Sequence, residues 1–278
     1  MPKTETVDRY DRVAFRLDRA ELGVDLKTLL KPWCRDTTLT VYSPKYHPRW
    51  KSSVLVLQPE SEWFLRFLEL LGADVAVEVE EVEIARDFIV WTRIEAYRLH
   101  RLFLGSVLVP YLRHKVVHNR SVTYFAPRGH RSGVLAVYSD EWFKPTAPTR
   151  ERPCLHVEMR LSNTGAARQH ELIKVQDFID YDFDAFWAKR LQFVTLPHKK
   201  TDLGRLLGTA AQRHVSGTAL RKRADKLLTH SSNRVAGHFV LQNAAREHAA
   251  PFRKLPRIGF RAWERDARAA ALMPLSMP

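Results

Sequence analysis

Cysteine is nearly absent from this 278-residue chain: Cys34 and Cys154 are too few for a disulfide framework or a Cys-rich zinc site, which fits a reducing cytoplasm. Glycine is sparse as well, at 11 residues, and there is no Gly-rich phosphate loop, internal repeat or low-complexity segment. A P-loop nucleotide site is therefore excluded. No apolar run reaches the roughly 18 residues that a membrane helix needs. The opening Met1-Pro-Lys-Thr-Glu-Thr6 is polar and has no apolar signal-peptide core. These absences predict a cytoplasmic protein without a membrane partner.

Apolar residues make up 45% of the chain, enough for a substantial core and one large domain with a smaller one beside it. The formal net charge of +14 is unevenly placed. From Lys189 onward there are 18 Lys and Arg against five Asp and Glu, whereas the first 188 residues carry 27 against 26. A basic segment attached to a neutral body suits a phosphate backbone, because each neutralised phosphate releases condensed counterions. A solvated basic surface or an anionic-membrane patch is the plainer reading. Apolar residues interleaved at helical spacing favour nucleic acid.

Periodicity predicts strands at residues 9–17, 37–42 and 51–57 and an acidic strand within residues 75–91. It predicts helices over residues 21–31, from Pro59 to Gly72, over 94–108 and from Asp182 or Asp184 to Leu191. His114-Lys-Val-Val-His118 has the spacing of a helical metal pair, but no Glu follows the first His, so a zinc-protease site is a poor fit. Three strands follow: Ser121 to Arg128, Ser132 to Tyr138, and Leu155 to Leu161. Alternation puts Val134, Ala136 and Tyr138 on one face of the second. In the third it puts His156, Glu158 and Arg160 opposite Leu155, Val157, Met159 and Leu161. In the acidic strand Glu83 and Asp87 share a face while Val82, Ile84 and Phe88 take the other.

This mix predicts an α+β domain over residues 1–196, an antiparallel sheet with helices on one face, followed by a basic helical region over 197–278. In that region Thr201 and Thr218 cap helices over about 202–214 and 219–230, joined at Ser216-Gly217, and a third helix spans about 234–248. The second carries Arg221, Lys222, Arg223 and Lys226, and Lys199 and Lys200 precede the first. The outline is that of a helix-turn-helix DNA reader, with a basic lid touching backbone only as the alternative.

Glu83-Ile-Ala-Arg-Asp87, Tyr124-Phe-Ala-Pro-Arg128 with Ser132, Val137-Tyr138, and His156-Val-Glu158-Met-Arg160-Leu161 stand in an order that resembles the rolling-circle replication initiators and related relaxases of plasmids, phages and integrative elements. The similar branch is the carboxylate-rich one of the HUH-like endonucleases. Glu83 stands where that branch more often has Asp, Ala126 where Gly is usual, and Ser139-Asp140 where it has an acidic residue and Lys. The resemblance spans roughly residues 80–165. It implies an HUH/RRM-like fold, with Tyr138 as nucleophile and Glu83, Asp87 and Glu158 as ligands of Mg²⁺ or Mn²⁺. His156 would add or orient a ligand, and Arg128, Arg131 or Arg160 would hold the scissile phosphate.

The implied partners are single-stranded or hairpin origin DNA and duplex DNA, with a host helicase as a further candidate. Without the resemblance, Tyr138 reads as a half-buried aromatic, Glu158 and Arg160 as a solvent-facing row, and Asp87 as half of an ion pair. Tyr10, Tyr42, Tyr46, Tyr97 and Tyr124 are rival nucleophiles, and His47 and His170 read as structural. Three functions fit: a tyrosine strand-transfer endonuclease, a non-catalytic sequence-specific DNA-binding protein on the same sheet, and a metal-dependent nuclease using water.

Overall fold

The computed structural model describes residues 5–43, 45–72, 74–108, 114–119, 122–127, 133–139, 152–194 and 256–272. Eight strands form one sheet: β1 (Glu5–Leu17), β2 (Asp36–Val41), β3 (Ser52–Leu57), β4 (Val77–Ile89), β6 (His114–Asn119), β7 (Val122–Pro127), β8 (Val134–Ser139) and β9 (Cys154–Leu161). Their order is β2-β3-β1-β4-β9-β8-β7-β6, and every neighbouring pair is antiparallel. A small second sheet joins β5 (Val107–Leu108), β10 (Gln192–Val194) and β11 (Arg257–Ile258).

Period-two alternation decides which face is covered. Val13, Phe15 and Leu17 of β1, Val82, Ile84 and Phe88 of β4, and Leu155, Val157, Met159 and Leu161 of β9 are all buried in one hydrophobic core. The helices supply the other side of it. In α2 (Ser61–Leu71), Trp63, Phe64 and Phe67 are fully buried, and Phe64 packs on Tyr10 and Phe178 at centroid distances of 5.5 and 5.0 Å. Each such side chain contributes about 1.5–3 kcal/mol by leaving water. The α3 helix (Arg93–Ser106) starts at a capping box, with the Thr92 hydroxyl accepting from the Glu95 N–H and Glu95 accepting from the Thr92 N–H. Further on, α4 (Thr164–Arg168) and α5 (Phe183–Arg190) follow β9, and α6 (Phe260–Leu272) closes the described chain. The architecture is α+β, an antiparallel sheet with its helices on one face.

Several elements depart from their expected bounds. The helix expected over residues 21–31 is reduced to α1 (Leu26–Leu30), because Gly23 adopts φ 71° and the Asp25 carboxylate caps the Lys27 and Thr28 N–H groups. The His114-to-His118 segment is strand β6, not helix, so its ends lie about 13 Å apart and do not form a helical metal pair. Neither β10 nor α6 was expected. The α6 helix packs within the basic region back onto the sheet domain: Trp263 stacks on Phe193 at 4.4 Å, meets Phe103 edge-on at 5.2 Å, and donates Nε1–H to the Ser106 hydroxyl at 2.8 Å. Among the described residues no helix is long and apolar enough to cross a membrane.

Candidate active site on the polar face of the sheet

The face opposite the described helices is polar, and antiparallel register arranges it in rows. One row runs Tyr138, His156, Asp87 across β8, β9 and β4. The next runs Tyr124, Ala136, Glu158, Ala85, Arg9 from β7 to β1. A third runs Val134, Arg160, Glu83, Arg12. Glu158 thus has an alanine on each side, and the two small side chains leave it open to its diagonal neighbours. The Tyr138 hydroxyl donates to Glu158 Oε1, and Arg160 Nη2 donates to Glu158 Oε2 at 3.3 Å.

The first row is tightly packed. The rings of Tyr138 and His156 stack at 4.7 Å, and His156 Nδ1 lies 2.6 Å from Asp87 Oδ1. Arg9 pairs with the other oxygen of Asp87. The thiol of Cys154 lies 2.8 Å from His156 Nε2. Asp87, Cys154 and His156 are all buried, and their ligand atoms fall within 4.8 Å of one another. In the third row Arg160 Nε lies 3.2 Å from Glu83. Burial pushes the Glu83 carboxyl above its ordinary pKa, against the lowering pull of Arg160 and Arg12.

The fold therefore gathers Tyr138, Arg160, Glu83, Asp87, His156 and Glu158 on one face. It divides the four expected metal ligands into two groups. Asp87 and His156 join Cys154, while Glu83 and Glu158 share Arg160, whose guanidinium supplies their positive charge. Cys154 is absent from the expected set because the expected strand starts at Leu155, one residue after the observed start of β9. The same alternation that aligns His156 and Glu158 also aligns Cys154. Arg128, Arg131, Lys199, Lys200, Arg221, Lys222, Arg223 and Lys226, with the three expected helices of the basic region, lie outside the described residues.

The rival tyrosines separate by environment. Tyr10 is buried among Phe64, Phe178 and Phe183, and burial raises its hydroxyl pKa well above the ordinary value, which removes it as a nucleophile. Tyr42 donates to Glu80 at 3.1 Å. Tyr46 and Tyr97 are exposed. Tyr124 shares the polar face with Tyr138, one row away. His170 is structural, buried edge-on against Phe186 at 5.0 Å; burial, with Arg190 and Lys189 nearby, pushes its pKa down to about 4.

No protein-family model matches the chain, and no curated protein matches it. Among solved structures it is similar to a rolling circle replication initiator protein from Geobacillus stearothermophilus, at 10% identity over 70% of this chain and 89% of that one, with a TM-score of 0.40.

Proposed function

We propose that the protein nicks and rejoins DNA through a covalent tyrosine intermediate, in the manner of a rolling-circle replication initiator. The observation that carries this reading is the Tyr138 hydroxyl donating to Glu158 on the face opposite the described helices, with the Arg160 guanidinium against the same carboxylate. Glu158 accepts the phenol proton as Tyr138 Oη attacks the phosphorus of a phosphodiester. The Oη–P bond forms, the P–O3′ bond breaks, and the departing 3′-oxygen takes a proton. Arg160 offers donors to the charge that builds on the phosphoryl oxygens. Tyrosine serves better than water here because the 5′-phosphotyrosine conserves the bond energy for rejoining while a 3′-hydroxyl is freed to prime a polymerase. His156 acts as a floor under the Tyr138 ring and holds its direction.

DNA as the substrate is supported by the charge distribution, with most of the positive excess beyond Lys189. The test is incubation of the full-length protein with single-stranded oligonucleotides and a divalent ion, followed by a search for a denaturant-resistant adduct. An adduct supports the reading. Metal-dependent cleavage without an adduct would replace it with a water-using nuclease, and binding without cleavage with a DNA-binding protein.

Asp87, Cys154 and His156 would hold the metal, and a divalent ion there would supply Lewis-acid polarisation of a phosphoryl oxygen. One carboxylate, one thiol and one imidazole are a softer donor set than the three carboxylates with His156 expected to hold Mg²⁺ or Mn²⁺, and they fit Zn²⁺ or Co²⁺. Co²⁺ added to the protein should therefore give a sulfur-to-metal charge-transfer absorption that Cys154→Ser removes. Zn²⁺ should bind Cys154→Ser at least about 10-fold more weakly, as judged by titration calorimetry. A protein that shows no such band and binds Zn²⁺ equally with or without the thiol would restore the hard-ligand assignment.

The basic region supplies phosphate contacts on this reading. Because α6 is part of the folded body, neutralising side chains tests this more cleanly than truncation does. Changing Lys199, Lys200, Arg221, Lys222, Arg223 and Lys226 to Gln should flatten the plot of log affinity against log salt by roughly 0.7 per lost contact on single strands, or 0.9 on duplex. If Arg221, Lys222 or Arg223 also reads a base, its Ala variant should lose about 1–3 kcal/mol at one base pair only. An unchanged salt slope would remove the basic region from the DNA-binding surface.

A further inference from the structure

Between Asp36 and Glu60 the chain has no acidic residue, while Lys45, Arg49 and Lys51 are interleaved with Tyr42, Tyr46, His47 and Trp50. Most of these residues lie in the connection of the β2–β3 hairpin. The connection is closed by Tyr42 N–H donating to the Lys51 carbonyl at 2.8 Å, and by the Tyr46 and His47 N–H groups sharing the Ser43 carbonyl at 3.1 and 3.2 Å. Its rings meet other rings or cations. His47 stacks on Tyr42 at 4.3 Å and 27°, the Arg49 guanidinium covers Trp50 at 4.6 Å, and the Lys45 ammonium lies 5.5 Å from the Tyr46 centroid. Tyr46 is 71% exposed, more than any other large apolar side chain among the described residues. The platform is anchored from below: the Tyr42 hydroxyl donates to Glu80, whose charge is met by Arg16 at 2.8 Å.

We propose that this hairpin is a stacking clamp for single-stranded nucleic acid, with an unpaired base on the Tyr46 ring and the adjoining phosphates against Lys45, Arg49 and Lys51. A single strand presents both of the features that the loop complements, an open π-face and a phosphate backbone, whereas a duplex hides its base faces. The clamp is remote from the proposed chemistry. Lys51 donates its N–H to the Leu17 carbonyl, Leu17 pairs with Val77, and Val77 and Asp87 are separated by ten residues of β4, so the hairpin lies roughly 30 Å along the strands from the Tyr138 row. It would hold the strand several nucleotides from the phosphodiester that reacts. The inference stands on the loop's own chemistry and survives if Tyr138 is not a nucleophile.

The test is fluorescence anisotropy of the full chain carrying Tyr138→Phe, which separates binding from cleavage, with labelled oligo-dT and a mixed-sequence duplex. Tyr46→Ala should weaken oligo-dT binding roughly 5- to 100-fold, Tyr46→Phe should restore it, and duplex affinity should stay within about 2-fold. Lys45→Ala and Arg49→Ala should each lower the single-strand salt slope by roughly 0.7. Equal affinities for the Ala and Phe variants would overturn the proposal, as would equal loss on duplex. Loss of binding to vesicles of phosphatidylserine and phosphatidylcholine in Tyr46→Ala, with oligo-dT affinity unchanged, would assign the loop to a membrane surface instead.

Discussion

Tyr138→Phe should reduce the covalent protein–DNA adduct by a factor on the order of 10³ or more, because it deletes the only atom that bonds to phosphorus. Binding should survive. The phenylalanine ring keeps the stack on His156, while the hydrogen bond to Glu158 is lost. Glu158→Gln should also suppress the adduct, since an amide cannot take the phenol proton, though a phenol in water retains slow residual attack. Denaturing electrophoresis of the protein with a labelled oligonucleotide measures both. The decisive control is Tyr124→Phe, because Tyr124 occupies the same face one row away. Adduct that persists in Tyr138→Phe and vanishes in Tyr124→Phe would move the nucleophile to β7.

The largest stability effect should come from directly behind the site. Arg86 precedes Asp87 on β4, so its side chain enters the helix-covered face, where it is 2% exposed. There it donates to Asp8 at 2.6 and 2.5 Å and to Asp184 at 2.6 Å, and its guanidinium lies 4.8 Å from the Phe260 ring. Asp184 also accepts from Arg261 at 2.8 Å, so one buried cation ties β1, β4, α5 and α6 together. Arg86→Met fills much of the volume but takes the guanidinium away from Asp8 and Asp184, whose side chains are 21% and 48% exposed and keep Trp187 Nε1–H and Arg261 as donors, and should cost about 1–3 kcal/mol.

The sign with pH follows from Asp184, whose carboxyl is held below its ordinary pKa first by the bond from Arg86 and then by Arg261. Its contribution is present above the unfolded-state value, about 3.9, and is lost as pH falls through the lower folded value. The deficit of Arg86→Met should therefore be full at neutral pH and shrink only as pH falls below about 4, where the carboxylates protonate. Urea midpoints at neutral pH and at about pH 3 measure it. A deficit independent of pH would mean that packing, and not charge, is what Arg86 contributes.

The difference between the two faces of β4 was only half legible from sequence. Alternation correctly places Glu83 and Asp87 opposite Val82, Ile84 and Phe88, and by the same rule puts Arg86 among the apolar residues. What makes that position tolerable is a pair of aspartates 78 residues upstream and 98 residues downstream, which no local pattern reveals. Likewise α6 has apolar residues at helical spacing, but nothing in them says that Trp263 will stack on Phe193 and bring the end of a basic region back to the body.

What the sequence determined by itself is seven of the eight strands of the large sheet, the alternation of β4, β8 and β9 between two faces, and so the sharing of one surface by Tyr138, His156, Glu158, Arg160, Glu83 and Asp87. Periodicity is a local property of the backbone, and burial of one face enforces it. Register was decided only in the tertiary structure, because it depends on which strands become neighbours. By pairing Asp87 with His156 and Glu83 with Arg160, register divided the expected ligand set of Glu83, Asp87, Glu158 and His156 between two separate clusters. One is a Cys–His–Asp group. The other is a tyrosine and an arginine sharing Glu158, and the alanines at 85 and 136 leave room for that arrangement because they pair with position 158 across the sheet.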